Sequence, residues 1–221
     1  MEKKPDNFIW TSNFAYAVGL IASDGHLYKD GRHIAMTSKD IELINNFATA
    51  LSLNNKISAM GSGRENHKPY FRIVFSHRKL HQYLETIGIT PAKSHTISKV
   101  KVPEKYFADF LRGLFDGDGS FYSYYDKRWK NSLVYQIAFY SASYQFISWL
   151  KFELSKKYGT KGFIRKGDGV WALRFVKQDT RKLQQVMYYN ANVLLLKRKY
   201  IKIYNTIYLH APVAQWFRAD A

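Results

Sequence analysis

Apolar positions along this chain switch between a spacing near 3.6 and a spacing of two, and they do so twice in the same order. The first helical stretch covers 12–24, with Phe14, Val18, Leu20 and Ile21 supplying apolar bulk, Ser12 as the expected cap and Gly25 as the stop. Residues 27–29 and 33–37 then alternate as strands about an Asp30-Gly31 turn. Ser38 or Asp40 caps a helix that carries Ile41, Ile44, Phe47, Ala48 and Leu51 on one face. A second hairpin, 56–60 and 70–76, surrounds a polar loop, and a helix over 78–87 closes the unit with Leu80, Tyr83, Leu84 and Ile87 inward.

Residues 88–105 contain Pro91, Pro103 and several lysines, the composition of a linker. The same sequence of elements follows: a helix near 106–118, strands over 121–125 and 133–140, a helix capped by Ser143, strands over 161–166 and 170–176, and a helix over 181–187. Asp118 follows Asp24 by 94 residues, and that offset also superposes Gly113 on Gly19, Leu114 on Leu20 and Gly119 on Gly25. Past the longer second hairpin the offset becomes 103, pairing Ile137 with Ile34 and Leu183 with Leu80. A duplicated unit with one loop insertion accounts for both values. The expectation is an N-terminal half over 1–90, a linker over 91–105 and a C-terminal half over 106–221, each an αββαββα unit of an α+β fold with antiparallel sheets covered on one face by helices.

Charge narrows the partners. Lys and Arg total 34 against 17 Asp and Glu, a formal charge of +17. A field of that sign points to a polyanion, most simply nucleic acid. No apolar run has spanning length and no amphipathic segment gathers its basic residues on one face, so no membrane partner is expected. Cysteine is absent, which excludes disulfides and thiolate metal sites. The N-terminus lacks the features of a secretory or transit segment, so an intracellular setting is expected, in a prokaryotic cytoplasm or an organelle matrix.

Each copy of the leading helix carries small residues four apart, Ala15, Gly19 and Ser23 in one and Gly113 and Gly117 in the other. Glycine inside a helix costs on the order of 1 kcal/mol relative to alanine, and close packing of the two helices against each other gives that cost a purpose. Asp24 and Asp118 then fall at helix C-termini, against the macrodipole, and parallel pairing brings their like charges together. Stability does not explain such acids, whereas a hard divalent cation does. Mg²⁺ suits carboxylate oxygens and phosphate together, and metal-activated water gives phosphodiester hydrolysis.

The two nine-residue stretches, 17–25 and 111–119, resemble the paired signatures of LAGLIDADG homing endonucleases of the single-chain, double-motif form, as do Gly88-Ile89-Thr90-Pro91-Ala92-Lys93-Ser94 and Leu196-Lys197-Arg198-Lys199-Tyr200. The second copy matches closely; the first has Ala22 and Ser23 where the motif's name has Asp and Ala. The resemblance implies a monomer whose sheets form a saddle on a long double-stranded DNA site, with the two motif helices at the central interface. It implies Asp24 and Asp118 as metal-binding acids for Mg²⁺, with Mn²⁺ as a substitute, and the backbone carbonyls of Ser23 and Gly117 as auxiliary ligands. It further implies a basic residue at the end of the second strand of each half. Lys39 fills that place in the first half, and the 103 offset puts Ala142 there in the second. RNA maturase activity on an intron RNA, or DNA binding without cleavage, is the alternative on the same scaffold.

Strand alternation sorts the expected DNA face. Tyr70 and Arg72 oppose Phe71, Ile73 and Phe75, while Arg174 opposes Trp171, Leu173 and Phe175 and answers Arg72 at an offset of 102. His26, Tyr28, Tyr122, Tyr124 and Gln136 share the polar side, and Lys29, Arg32, Arg64, Lys68, Lys127, Arg128, Lys130, Arg165 and Lys166 add charge from the loops. Arg suits guanine in the major groove, whereas loop cations mostly contact phosphate. Three further signals carry little. The Asp116 stretch puts Lys127 where a calcium loop needs an acid, His77 and His81 read as exposed helix histidines rather than a zinc pair, and Gly61-Ser62-Gly63 reads as a hairpin tip.

Overall fold

A computed structural model describes residues 8–61, 69–129 and 132–209. Arg64, Lys68, Lys130 and the centre of the loop after Gly61 lie outside the described residues. The first half runs α1 (Ser12–Ser23), β1 (Gly25–Leu27), β2 (His33–Ser38), α2 (Ile41–Ala50), β3 (Ser58–Met60), β4 (Tyr70–Ser76) and α3 (Arg78–Thr86). After a 3-10 turn at Glu104–Tyr106 the second half runs α4 (Phe107–Asp118), β5 (Ser120–Tyr125), β6 (Leu133–Ser141), α5 (Tyr144–Tyr158), β7 (Phe163–Lys166), β8 (Trp171–Val176) and α6 (Gln178–Met187). A seventh helix, α7 (Lys197–Tyr204), and a π-helical turn at Asn205–Leu209 follow.

Each half contains one four-stranded antiparallel sheet, in the order β1-β2-β4-β3 and β5-β6-β8-β7. The α+β expectation therefore holds, in two similar halves. Hairpin order follows from short turns, with Gly31 at φ +73 supplying the left-handed residue of the first. Inward faces are Ile34, Met36, Ile73 and Phe75 in one sheet and Ile137, Phe139, Leu173 and Phe175 in the other, all buried under the helices.

Local caps explain most boundaries. Thr11, not Ser12, caps α1, its side chain accepting from Phe14 N at 3.0 Å. Asp40 caps α2 through Glu42 N, and Ser143 caps α5 through Phe146 N, as expected. In α2 the buried residues are Leu43, Ile44, Phe47 and Ala50, so the face is turned from the expected one and Ile41 is exposed. Of the two histidines expected to be exposed on a helix, His77 is exposed and His81 is not. His77 caps α3 through Leu80 N, and His81 is fully buried with Nε2 on the Tyr28 carbonyl at 2.7 Å. The segment over 88–105 is more than a tether, because Ile89, Lys93, Ile97 and Val100 are all buried in it.

Candidate active site

The two leading helices meet along their small residues. A Cβ on Gly19 would stand 2.2 Å from the Phe110 carbonyl oxygen, and one on Gly113 would stand 2.1 Å from the Tyr16 carbonyl oxygen. Further along, a Cβ on Gly117 would meet the Ser23 side chain and then Asp24 Oδ2 at 2.7 Å. Residue numbers rise together on both sides of this seam, so α1 and α4 run parallel and end together. Every residue from Phe14 to Ala22 is buried, as is every residue from Phe107 to Asp116 except Ala108. The seam is thus the centre of the core.

Its buried polar groups are paired in ways that residue periodicity did not reveal. Arg112, fully buried, donates to Asp109 Oδ1 at 2.7 Å and to the carbonyls of Met187 and Leu194 at 2.8 Å. Asp116 accepts from the Tyr16 hydroxyl and from Leu196 N, each at 2.8 Å, and burial pushes its carboxyl up to about 6. These contacts tie the segment before α7 onto the motif helix.

At the shared C-terminal end, Asp24 and Asp118 face each other closely enough to share a proton. Burial first, and the neighbouring Asp118 charge second, push Asp24 up to about 7. Asp118 is raised as well, mainly by burial, although its side chain is the more open of the two to solvent. A pair of carboxylates held together against their own repulsion fits a hard divalent cation. Among the described residues no cluster of three or more His, Cys, Asp or Glu is present, so the acids at this point are these two alone.

Two lysines that sequence reasoning left without a role complete the site. Lys93, buried, donates from Nζ to the carbonyls of Ser23 and Gly25. Lys199 donates to the carbonyls of Phe115, Asp116, Gly117 and Gly119 at 2.7 to 3.0 Å. Both ammonium groups neutralise the negative ends of the helix dipoles beside the acids. Burial lowers both, Lys199 to about 8. The carbonyls of Ser23 and Gly117, expected as auxiliary ligands, therefore already accept lysine protons, and a cation that used them would have to share them. Lys39 is exposed at the end of β2, its Nζ 5.1 Å from the centre of the Tyr70 ring. The adjoining Asp40 pairs with Arg198 at 2.6 Å, which joins this strand end to the Lys199 side of the seam.

A family model described as a LAGLIDADG-like domain matches residues 12–88 and 106–205, covering both units. This chain belongs to the LAGLIDADG family. No curated protein matches it in sequence. Among solved structures it resembles full-length DUF199/WhiA from Thermatoga maritima at 14% identity and TM-score 0.56, over 96% of this chain and 66% of that one. The chain thus spans just under two thirds of that protein. It also resembles the homing endonuclease I-WcaI bound to its DNA recognition sequence, at 12% identity and TM-score 0.63, over 92% of this chain and 95% of that one. The meganuclease I-AabMI bound to uncleaved DNA matches at 12% identity and TM-score 0.59, over 89% and 90%. At such identities the likeness is one of fold.

Within this LAGLIDADG fold the residues expected on the DNA face lie on the outer sides of the two sheets. His26, Tyr70, Tyr122 and Tyr124 are exposed, and Tyr28, Arg72, Gln136 and Arg174 half-buried. Lys29, Arg32, Lys127, Arg128, Arg165 and Lys166 are exposed on the hairpin loops and strand ends. Arg72 donates to the Tyr28 hydroxyl, while Tyr122 and Tyr140 share a hydrogen bond of 2.9 Å in the second sheet. One expectation is corrected by the register. Arg72 pairs with Thr37, whose counterpart Tyr140 pairs with Ala172, so Arg72 answers Ala172 and Arg174 answers Val74, at an offset of 100.

Proposed function

We propose that this LAGLIDADG protein is a site-specific endonuclease that hydrolyses both strands of a long DNA duplex with the aid of a divalent cation, acting as a monomer. The observation that carries this reading is the convergence of Asp24 and Asp118 at one end of a parallel helix pair, flanked by Lys93 and Lys199. Asp24 and Asp118 would hold Mg²⁺ or Mn²⁺, with the Ser23 and Gly117 carbonyls shared between cation and lysine. Bound there, such a cation supplies charge neutralisation at a phosphate and a more acidic water. Lys39 would orient water and phosphate from the β2 end. The outer sheet residues and loop cations would hold the duplex, with phosphate contacts setting affinity and Arg72 and Arg174 reading bases. I-DmoI solved with DNA and Ca, and an I-DmoI variant solved with its target DNA in the presence of Mn, support this choice of partner and cation.

The fold is shared with WhiA as well as with homing endonucleases, so DNA binding without cleavage is the second reading. Asp118→Asn separates the two. Cleavage in Mg²⁺ of a plasmid carrying the target is expected to fall by about a hundredfold to a thousandfold, as when one preorganised stabilising group is removed, with duplex binding in Ca²⁺ retained. Wild-type protein that binds the duplex and never cuts it, in Mg²⁺ or Mn²⁺, would establish the non-cleaving reading.

A further inference from the structure

The two flanks of the seam differ in charge. Lys93 reaches the carbonyls of Ser23 and Gly25, and Lys199 reaches those of Gly117 and Gly119, which are the same two places once the 94-residue offset of the motif helices is applied. These bonds fix how the two lysine-bearing segments correspond. Lys199 follows Lys93 by 106 residues, and the buried Ile203 follows the buried Ile97 by the same number. Arg198 then answers Ala92, and Lys202 answers Thr96. The strand registers, which pair His26 with Ala35 in one sheet and Ser120 with Ala138 in the other, set Lys39 against Ala142. One flank therefore carries Lys39, Arg198, Lys199 and Lys202 where the other carries Ala142, Ala92, Lys93 and Thr96.

Two cavities open beside these residues, at places that do not correspond under the offsets. A hollow of about 390 Å³ beside Gly119 and Tyr122 is lined by Arg198, Lys199 and Lys202. A second, of about 240 Å³, opens beside Ser23 and Ala142. Its charged lining among the described residues is Lys93 and Asp118, and its floor includes Phe139, Phe146 and Leu150. Asp40 neutralises part of the first flank through Arg198, yet three further cations remain there against one on the second. Cations beside a phosphate stabilise the charge that develops as it is attacked, so the two flanks cannot accelerate hydrolysis equally.

Resting on the endonuclease reading, we propose that the two strands are cut in a fixed order. The phosphodiester lying on the Lys39–Arg198–Lys199–Lys202 flank is hydrolysed first and the one on the Ala142–Lys93 flank second, so a nicked duplex accumulates. At each step a water oxygen bonds to phosphorus as one ester P–O bond breaks. The water loses a proton and the departing sugar oxygen gains one, and no oxidant or reductant is consumed.

The test uses supercoiled plasmid carrying a target selected by cleavage from a randomised duplex pool, with each strand also end-labelled in a linear duplex. Nicked circle is expected to build up before linear product, with one strand cut roughly a hundredfold or more faster, the lower end of what a positioned acid–base group contributes. Lys39→Ala, an exposed change, should slow the fast strand and leave the slow strand near its original rate. Ala142→Lys, which points a cation into the existing cavity, should speed the slow strand and reduce the nicked intermediate. Equal strand rates in the wild type, or Lys39→Ala slowing both strands alike, would overturn the ordered cut while leaving the endonuclease standing. Recovery of no cleaved sequence at all would instead bring down the endonuclease reading, and the ordering with it.

Discussion

Along the seam between α1 and α4 the two halves are near copies: glycine stands opposite backbone carbonyl on both sides, and a lysine closes each helix end on matching carbonyls. On the flanks and outer sheets they diverge, in charge near the acids and in the placement of arginine. The contrast has a physical source. Backbones in contact leave room only for small residues, so a change in either half is felt by both. A flank that faces solvent or a DNA strand has no such partner within the protein, and its residues can change one at a time.

The largest effect should come from the seam. Gly19→Ala and Gly113→Ala each drive a Cβ to within 2.2 Å of a carbonyl oxygen that belongs to a buried helix backbone. Each should destabilise the protein by about 3 kcal/mol or more, at the upper end of overpacking, and by similar amounts. Gly61→Ala, where an added Cβ meets nothing within 4 Å, should change stability by less than about 0.5 kcal/mol. Urea unfolding followed by circular dichroism measures all three. A large cost at only one of the seam glycines would mean that the helices do not approach symmetrically.

A smaller effect belongs to the acids at the end of that seam. Burial and the Asp118 charge hold the Asp24 carboxyl up to about 7, well above the ordinary carboxylate range. Between that range and about pH 7 the folded, metal-free protein keeps a proton that the unfolded chain has lost. Raising the pH through this window therefore favours unfolding. In EDTA the melting temperature should fall by several degrees as pH rises from about 4 to about 7, since each unit by which a carboxyl is raised corresponds to about 1.4 kcal/mol of lost stability. Asp24→Asn should reduce the slope, leaving what the raised Asp116 and Asp118 carboxyls contribute, and added Mg²⁺ should oppose it, because cation binding displaces the proton. A slope unchanged by Asp24→Asn would place the proton on another group.

The seam was the most legible part of the sequence, since the spacing of Gly19, Gly113 and the two acids states both the contact and its register. Element order was legible for the same reason, each hairpin turn and cap lying within a few residues of what it controls. Lys93 and Lys199 were visible only as letters within family-like stretches. Their targets lie some 70 to 80 residues away, and no local period reports a side chain folding back that far. A lysine flanked at short range by residues later found buried, Ile89 and Ile97, was the available signal. The Arg112–Asp109 pair was hidden differently, because these two of the four charged residues on α4 read equally well as a solvated edge.

The arginine register shows a limit of periodicity and yields the smallest predicted effect. Offsets of 102 and 100 put the same side of a strand outward, so alternation alone cannot separate them; hydrogen-bonded pairing does. Arg174 pairs with Ala138, the counterpart of Ala35, while Arg72 pairs with Thr37, two residues nearer the β2 end that leads to Lys39. Two residues of strand correspond to about 7 Å, or roughly two base-pair steps along a groove. Arg72→Ala and Arg174→Ala should each weaken duplex binding in Ca²⁺ by about tenfold at fixed salt, the effect of losing one good base contact. Binding to a set of singly substituted duplexes should show preference relaxed at one position per variant, with the Arg174 position about two base pairs farther from the centre of the site. Positions equidistant from the centre would mean that the sheets follow the groove differently in the two halves, compensating for the offset that separates these arginines.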